Sequence, residues 1–304
     1  MTAASSPLPI NLPTAQAPRC APPLAHTRAP RQPLPALACD SHLHILGPAS
    51  RYPYSDQRVY TPGDCLSADY ARVQQALGLQ RCVLVQPSVY AQDNSVLLQA
   101  LQDHGDAARG VAVIGAQTSA TELADMHALG VRGVRVNLVD VREPDARFPI
   151  DALLRLEERI LPLHWHIELL VHVDAHPDLD VQLSRLSVPV VFGHMGYLSR
   201  GASVQSAGLH AMVQLAQSAR AWIKLTGPYR LGAAPFGVAG EIARRLVGEC
   251  CDRLVWGSDW PHVMVQGAMP DDGELMDLLF DWVPDANDRR SILVDNPAVL
   301  YGWV

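Results

Sequence analysis

Eight short apolar runs rich in β-branched residues recur along the chain, and they constrain its fold more than any other feature. They read ACDSHLHIL (38–46), RCVLVQPS (81–88), RGVAVIG (109–115), VRGVRVNLV (131–139), HIELLVHV (166–173), VPVVFGHMG (188–196), AWIKLTGPY (221–229) and RLVWGSDWPH (253–262). A strand with one wet face alternates polar and apolar residues, whereas near-continuous apolar runs suit parallel strands buried on both faces. Between the runs lie segments with helical spacing: YARVQQALGL (70–79), NSVLLQALQDHG (94–105), TELADMHALG (121–130), IDALLRLEERI (150–160), DLDVQLSRL (178–186), GLHAMVQLAQSAR (208–220) and GEIARRLVGEC (240–250). Glycine closes the first and third of these segments, which is a helix-stop signal. Eight strands alternating with helices predict a single α/β domain, a (β/α)8 barrel of the TIM type. An open doubly wound sheet is the rival, but no GxGxxG follows the first run.

Composition narrows the function. With 304 residues, 48% of them hydrophobic and 18% charged, the chain can bury a large core and is not a disordered polymer. A net charge of −7 leaves no electrostatic footprint for nucleic acid, so an anionic ligand must be captured by local arginines. No apolar run approaches the roughly 20 residues of a membrane-spanning helix. The N-terminus lacks a basic start followed by an apolar block, so no secretory signal is expected. Six cysteines (Cys20, Cys39, Cys65, Cys82, Cys250 and Cys251) show neither CxxC nor framework spacing. They are expected to be reduced thiols of a cytoplasmic monomer or homodimer without membrane or nucleic-acid partners. Lys224 is the only lysine, and a compositional bias toward arginine accounts for that. Residues 1–37 are rich in proline and alanine without periodicity, which predicts an extended or disordered arm ahead of a barrel spanning 38–304.

Barrel enzymes place their chemistry at the C-terminal ends of the strands, and polar residues gather there in this chain. His42 and His44 share one face of the first strand, because side chains at i and i+2 point the same way. Gln86 and Ser88 close the second run, Arg135 and Asn137 the fourth, Glu168 and His172 the fifth, and His194 the sixth. Thr226, with Tyr229 and Arg230 just beyond, closes the seventh, and Asp259 the eighth. Buried polar groups are costly unless paired, so such a ring implies mutual pairing, a metal or a substrate. The stretch 47–64 is a long loop after the first strand and is expected at the mouth.

The first-strand HxH, GHMG, GSDWPH and the tail DNPAVLYGW resemble the amidohydrolase superfamily. SHLHILGPASRYPYSDQRVYTP, VLVQPSVYAQDN and GVRGVRVNL narrow the resemblance to the 2-pyrone-4,6-dicarboxylate lactonase-like hydrolases, from about residue 38 to the end. The resemblance implies a hydrolase that opens a small carboxylated lactone, in aromatic or sugar-acid catabolism. Asp259 would activate water, and His42, His44 and His194 would polarise the carbonyl or hold a metal that does so. Ser88 and Arg135, with Tyr60, Arg142 and Arg230, would grip substrate carboxylates, since guanidinium groups bind them through paired hydrogen bonds. His262 would support Asp259 or cap a helix. Two-metal members of the superfamily carry a carboxylated lysine late in the fourth strand, where VRGVRVNLV has none. The expectation is no required cofactor. The alternative is one divalent ion, Zn2+ or Mn2+, on His42, His44, His172 and Asp259. The chain departs from the lactonase pattern in two places: His172 stands where a tyrosine is expected, beside the substrate, and Tyr197 where an arginine is expected. A single-metal decarboxylase of an unsaturated acid and a non-catalytic ligand-binding barrel are the competing readings.

Overall fold

The computed structural model describes residues 17–140 and 147–303. Each apolar run contains a strand: β1 (Cys39–Leu43), β2 (Arg81–Val85), β3 (Ala108–Ala112), β4 (Val131–Asn137), β5 (His166–Leu170), β6 (Val190–Phe192), β7 (Ala221–Leu225) and β8 (Leu254–Trp256). All ladder pairs are parallel, and the spatial order β1 to β8 repeats the sequence order. Every residue of β1, β5 and β7 is buried, as strands walled on both faces require. The strands stop short of the runs, and the polar ring is divided between them and the loops that follow: His42, Arg135, Asn137 and Glu168 lie in strands, while His44, His194 and Asp259 lie just beyond.

Helices α1 (Ser67–Leu77), α2 (Ser95–His104), α3 (Ala120–Ala128), α4 (Ile150–Ile160), α5 (Leu179–Leu183), α6 (Ala207–Gln217), α7 (Pro228–Leu231) and α8 (Gly237–Cys250) connect successive strands. The stop glycines behave as their position predicts: Gly78 caps α1 at φ 78°, and Gly130 follows α3 at φ 104°. After β8 come α9 (Asp272–Trp282), α10 (Ala286–Arg290) and α11 (Asn296–Tyr301), the last of which contains most of the tail motif DNPAVLYGW. A helix signal was present in α9, where Leu275, Met276, Leu279 and Phe280 are buried at helical spacing behind the Asp271 N-cap.

Closing the barrel requires β8 to meet β1. Asp259 N–H donates to His42 O at 2.8 Å, and His44 N–H to Trp260 O at 2.8 Å. Below these bonds the buried Asp40 carboxylate bridges the two strands: Oδ1 accepts from His42 N (3.1 Å) and Ser258 N (2.9 Å), and Oδ2 from Ser258 Oγ (2.6 Å) and Tyr70 OH (3.1 Å). Burial pushes the Asp40 carboxyl up to about 6 while the Ser258 and His42 donors pull it back. Gly257 permits the approach, because a Cβ there would stand 2.6 Å from His42 Cβ.

Within the segment 17–37, Cys20 N–H donates to Thr61 O (2.9 Å) and Thr61 N–H to Pro18 O (2.7 Å), tying the chain to the long loop. Arg28 and Arg31 pair with Asp277 and Asp281 of α9. The six cysteines form no disulfide. Among the described residues no helix is long and apolar enough to cross a membrane.

Gly257→Ala should destabilise the protein by about 1–3 kcal/mol, the usual cost of overpacking. The control Gly63→Ala, with open space around its Cβ position, should stay within about 0.5 kcal/mol. Denaturant unfolding measures both, and equal effects would show that the seam tolerates a methyl group.

Candidate active site

The seam bonds bring the eighth strand's aspartate against the first strand's histidines. His42 lies in β1 and His44 one residue past its end, with ring centroids 5.0 Å apart. His194, after β6, puts its ring centroid 5.1 Å from that of His42. Non-glycine residues with left-handed backbone gather here, among them His194 (φ 49°), Tyr197 (φ 46°), Asp259 (φ 65°) and His262 (φ 60°). That conformation costs roughly 1–3 kcal/mol per residue and tends to gather at functional sites. Gly227 (φ 59°) lets the end of β7 pack on His194, whose Nδ1 would lie 2.9 Å from an added Cβ.

Asp259 is fully buried and its two oxygens differ. Oδ2 accepts from Tyr229 OH (2.6 Å), Arg230 Nε (2.8 Å) and Arg230 Nη2 (2.8 Å). Oδ1 has no hydrogen-bond partner and stands 3.7 Å from both His42 Nε2 and His44 Nε2. Burial, the largest single influence, raises this carboxyl, but the Arg230 guanidinium and the neighbouring histidines together outweigh it and hold Asp259 well below the usual carboxylate range. Burial pushes His42, His44 and His194 down, so the three imidazoles are neutral at physiological pH. Behind Tyr229, His262 Nδ1 lies 3.0 Å from its hydroxyl, and His262 Nε2 lies 3.0 Å from Asp272 Oδ1 on α9.

Each histidine is held by a group behind it. His44 Nδ1 is 2.7 Å from Val85 O, which can only accept, so the proton sits on Nδ1 and Nε2 keeps its lone pair. His194 Nδ1 is 3.1 Å from Thr226 Oγ1. His42 Nδ1 faces Lys224 Nζ at 3.1 Å and Glu168 Oε1 at 3.3 Å. Lys224, set aside in the sequence as a compositional accident, is fully buried beside the site and paired with Glu168 at 2.6 Å. A lone lysine in a strand buried on both faces was the available signal, because an unpaired ammonium does not stay in such a place.

The remaining candidates divide. Arg135 is buried, donates from Nη1 to Gln86 O (3.0 Å) and leaves Nε without a partner. Ser88 Oγ meets the hydroxyl of buried Tyr60 at 3.4 Å. Arg230 donates from Nε and Nη2 to Asp259 Oδ2 and also lines a cleft. His172 stands apart from the histidine cluster: its Nδ1 is 2.6 Å from Tyr197 O and its ring stacks on Tyr197 at 4.9 Å. Arg142 lies outside the described residues. A cleft of about 250 Å3 is lined by Tyr197, Arg200, Met264, Val265, Gln266 and the two partners of Asp259, Tyr229 and Arg230. A larger one, about 340 Å3, lies between the segment 22–27 and α1 and includes none of the histidines of the cluster.

His42, His44 and Asp259 offer ligand atoms within 4.8 Å of one another. Two of these atoms, His42 Nε2 and Asp259 Oδ1, are buried without partners, and the donor set of two nitrogens and one oxygen fits one small divalent cation.

With this geometry established, the chain can be placed. It belongs to the amidohydrolase family of hydrolases, whose model matches residues 39–303. Among characterised relatives, the chain is 35% identical to the 2-pyrone-4,6-dicarboxylate hydrolase of Comamonas testosteroni, over 91% of this chain and 94% of that one. It is 33% identical to the 4-sulfomuconolactone hydrolase of Hydrogenophaga intermedia, over 94% and 96%. A solved structure from Pseudomonas putida, provisionally named a 2-pyrone-4,6-dicarboxylic acid hydrolase, superposes with a TM-score of 0.78 at 32% identity, covering 89% of this chain and 99% of that one.

Because Arg230 is the strongest of the groups that lower the Asp259 carboxyl, Arg230→Gln should raise the Asp259 pKa. In the parent, this depressed carboxyl stabilises the fold above its unfolded pKa, and that contribution is lost only as pH falls through the lower folded value. In the variant the folded pKa lies nearer the unfolded one, so the contribution is smaller, the acid-denaturation midpoint moves up and the carbon-13 carboxyl titration moves with it. An unmoved titration would assign the depression to the histidines instead.

Proposed function

We propose that this chain hydrolyses a small lactone bearing at least one carboxylate, with Asp259 as the general base. The observation that carries the reading is the asymmetry of Asp259: one oxygen saturated by Tyr229 and Arg230, the other bare and facing the neutral imidazoles of His42 and His44. The 2-pyrone-4,6-dicarboxylate and 4-sulfomuconolactone hydrolases named above, both acting on small lactones, support it.

Oδ1 takes a proton from water as the water oxygen adds to the lactone carbonyl. Collapse of the tetrahedral adduct breaks the ring C–O bond, and Asp259 returns the proton to the departing oxygen. Positive and polar groups around the cluster favour the charge that builds on the carbonyl oxygen. Arg135, with its unpartnered Nε, and the Ser88–Tyr60 pair hold the substrate carboxylate. A divalent ion, where bound, would be held by His42, His44 and Asp259 and would polarise the carbonyl as a Lewis acid. That same His-His-Asp set favours a second reading, the single-metal decarboxylase.

Asp259→Asn should lower kcat by roughly 10²–10⁴-fold with the circular dichroism spectrum retained. Arg135→Gln should raise KM about 10–100-fold with little change in kcat, the loss of one charge-assisted contact. Both are measured by ring opening across a panel of carboxylated lactones and pyrones. Dialysis against a chelator should leave ring opening largely unchanged. Carbon dioxide release that needs added Zn2+ or Mn2+, without ring opening, would replace this reading by the second one.

A further inference from the structure

Lys224 stands in β7, fully buried, and its ammonium has three acceptors for its three hydrogens: Glu168 Oε2 at 2.6 Å, Ser41 O at 2.7 Å and His42 Nδ1 at 3.1 Å. An ammonium has no lone pair, so at the third contact the imidazole nitrogen must be the acceptor. A neutral imidazole that accepts at Nδ1 carries its proton on Nε2. We propose that Lys224, backed by Glu168, is a positioning residue that keeps the proton of His42 on Nε2. This makes the imidazole a hydrogen-bond donor into the site and opposes its use as a metal ligand.

The competing arrangement is visible beside it. Glu168 Oε1 stands 3.3 Å from the same Nδ1 and would draw the proton there if the ammonium were absent. Nε2 would then expose a lone pair beside those of His44 Nε2 and Asp259 Oδ1, which is the state a cation needs. His44 is fixed the opposite way, with Val85 O taking its Nδ1 proton. The adjacent imidazoles therefore form a complementary pair facing Asp259 Oδ1 at 3.7 Å each, one donating and one accepting. A water between Asp259 Oδ1 and His44 Nε2 can donate to both, while the His42 N–H meets the carbonyl oxygen that the water attacks. The role at the carbonyl rests on the hydrolase reading, whereas the location of the proton does not.

Long-range nitrogen-15 correlation spectra of histidine-labelled full chain, without substrate, separate the two tautomers. His42 should show its proton on Nε2 and His44 on Nδ1. A His42 proton on Nδ1, or loss of the Nε2 proton to bound Zn2+ in the protein as purified, overturns the proposal. Lys224→Met keeps most of the stem and removes the ammonium. In this variant the His42 proton should move to Nδ1, and Zn2+ affinity measured by calorimetry after chelation should tighten at least about tenfold, or ~1.4 kcal/mol. An unmoved His42 spectrum with unchanged affinity overturns the proposal. If the variant does not fold, the parent spectrum decides alone. Failure to find any lactone substrate would leave these spectra untouched, so the two readings fail separately.

Discussion

The structure depends on one contact, the closure of β8 onto β1. Two backbone hydrogen bonds and the Asp40 carboxylate make the junction, and they do so at the residues that carry the site: His42 O receives the Asp259 N–H, and His44 donates to Trp260. The first and last strands of the barrel are more than 200 residues apart in sequence. Their meeting both completes the sheet and sets Asp259 against the histidine pair. A barrel that failed to close here would lose its site in the same step. Gly257 matters for the same reason, because a single methyl group at that position would hold the two strands apart.

Around that junction the electrostatics are arranged in two pairs. Arg230 balances Asp259 on the side of the mouth, and Lys224 balances Glu168 beneath His42. Each pair places a charge where burial would otherwise remove it, and each has additional hydrogen bonds, the condition under which buried ion pairs are tolerated. Between them the histidines stay neutral, with Val85 and Thr226 as partners of His44 and His194. The result is a floor whose one carboxylate oxygen without a partner faces two imidazole nitrogens.

Much of this was legible in the sequence. The eight runs located all eight strands, since a parallel barrel strand buried on both faces leaves an unbroken apolar signature. The HxH spacing put both imidazoles on one side, and the ring centroids 5.0 Å apart agree. The pairing of Asp259 was less visible. Nothing in PYR or GSDWPH says that Tyr229 and Arg230 turn back onto that carboxylate, because the contact arises from two loops meeting in space. A bias toward arginine explains why Lys224 is alone but not why it stands where it does, and its place in a buried strand was itself the clue. Helix α9 escaped notice between two motifs, and with it Asp272, which reaches His262 from behind.

The burial of Lys224 also changes how the molecule meets amine chemistry. In most proteins, acylating reagents decorate a surface crowded with lysine side chains, and the label reports little about the interior. Here the one lysine amine lies inside the barrel wall, held by a carboxylate, a carbonyl and an imidazole. Side-chain acylation must wait for the β7 wall to open, so its rate counts excursions of the barrel from its closed state, with a single chromophore-free reporter already in place.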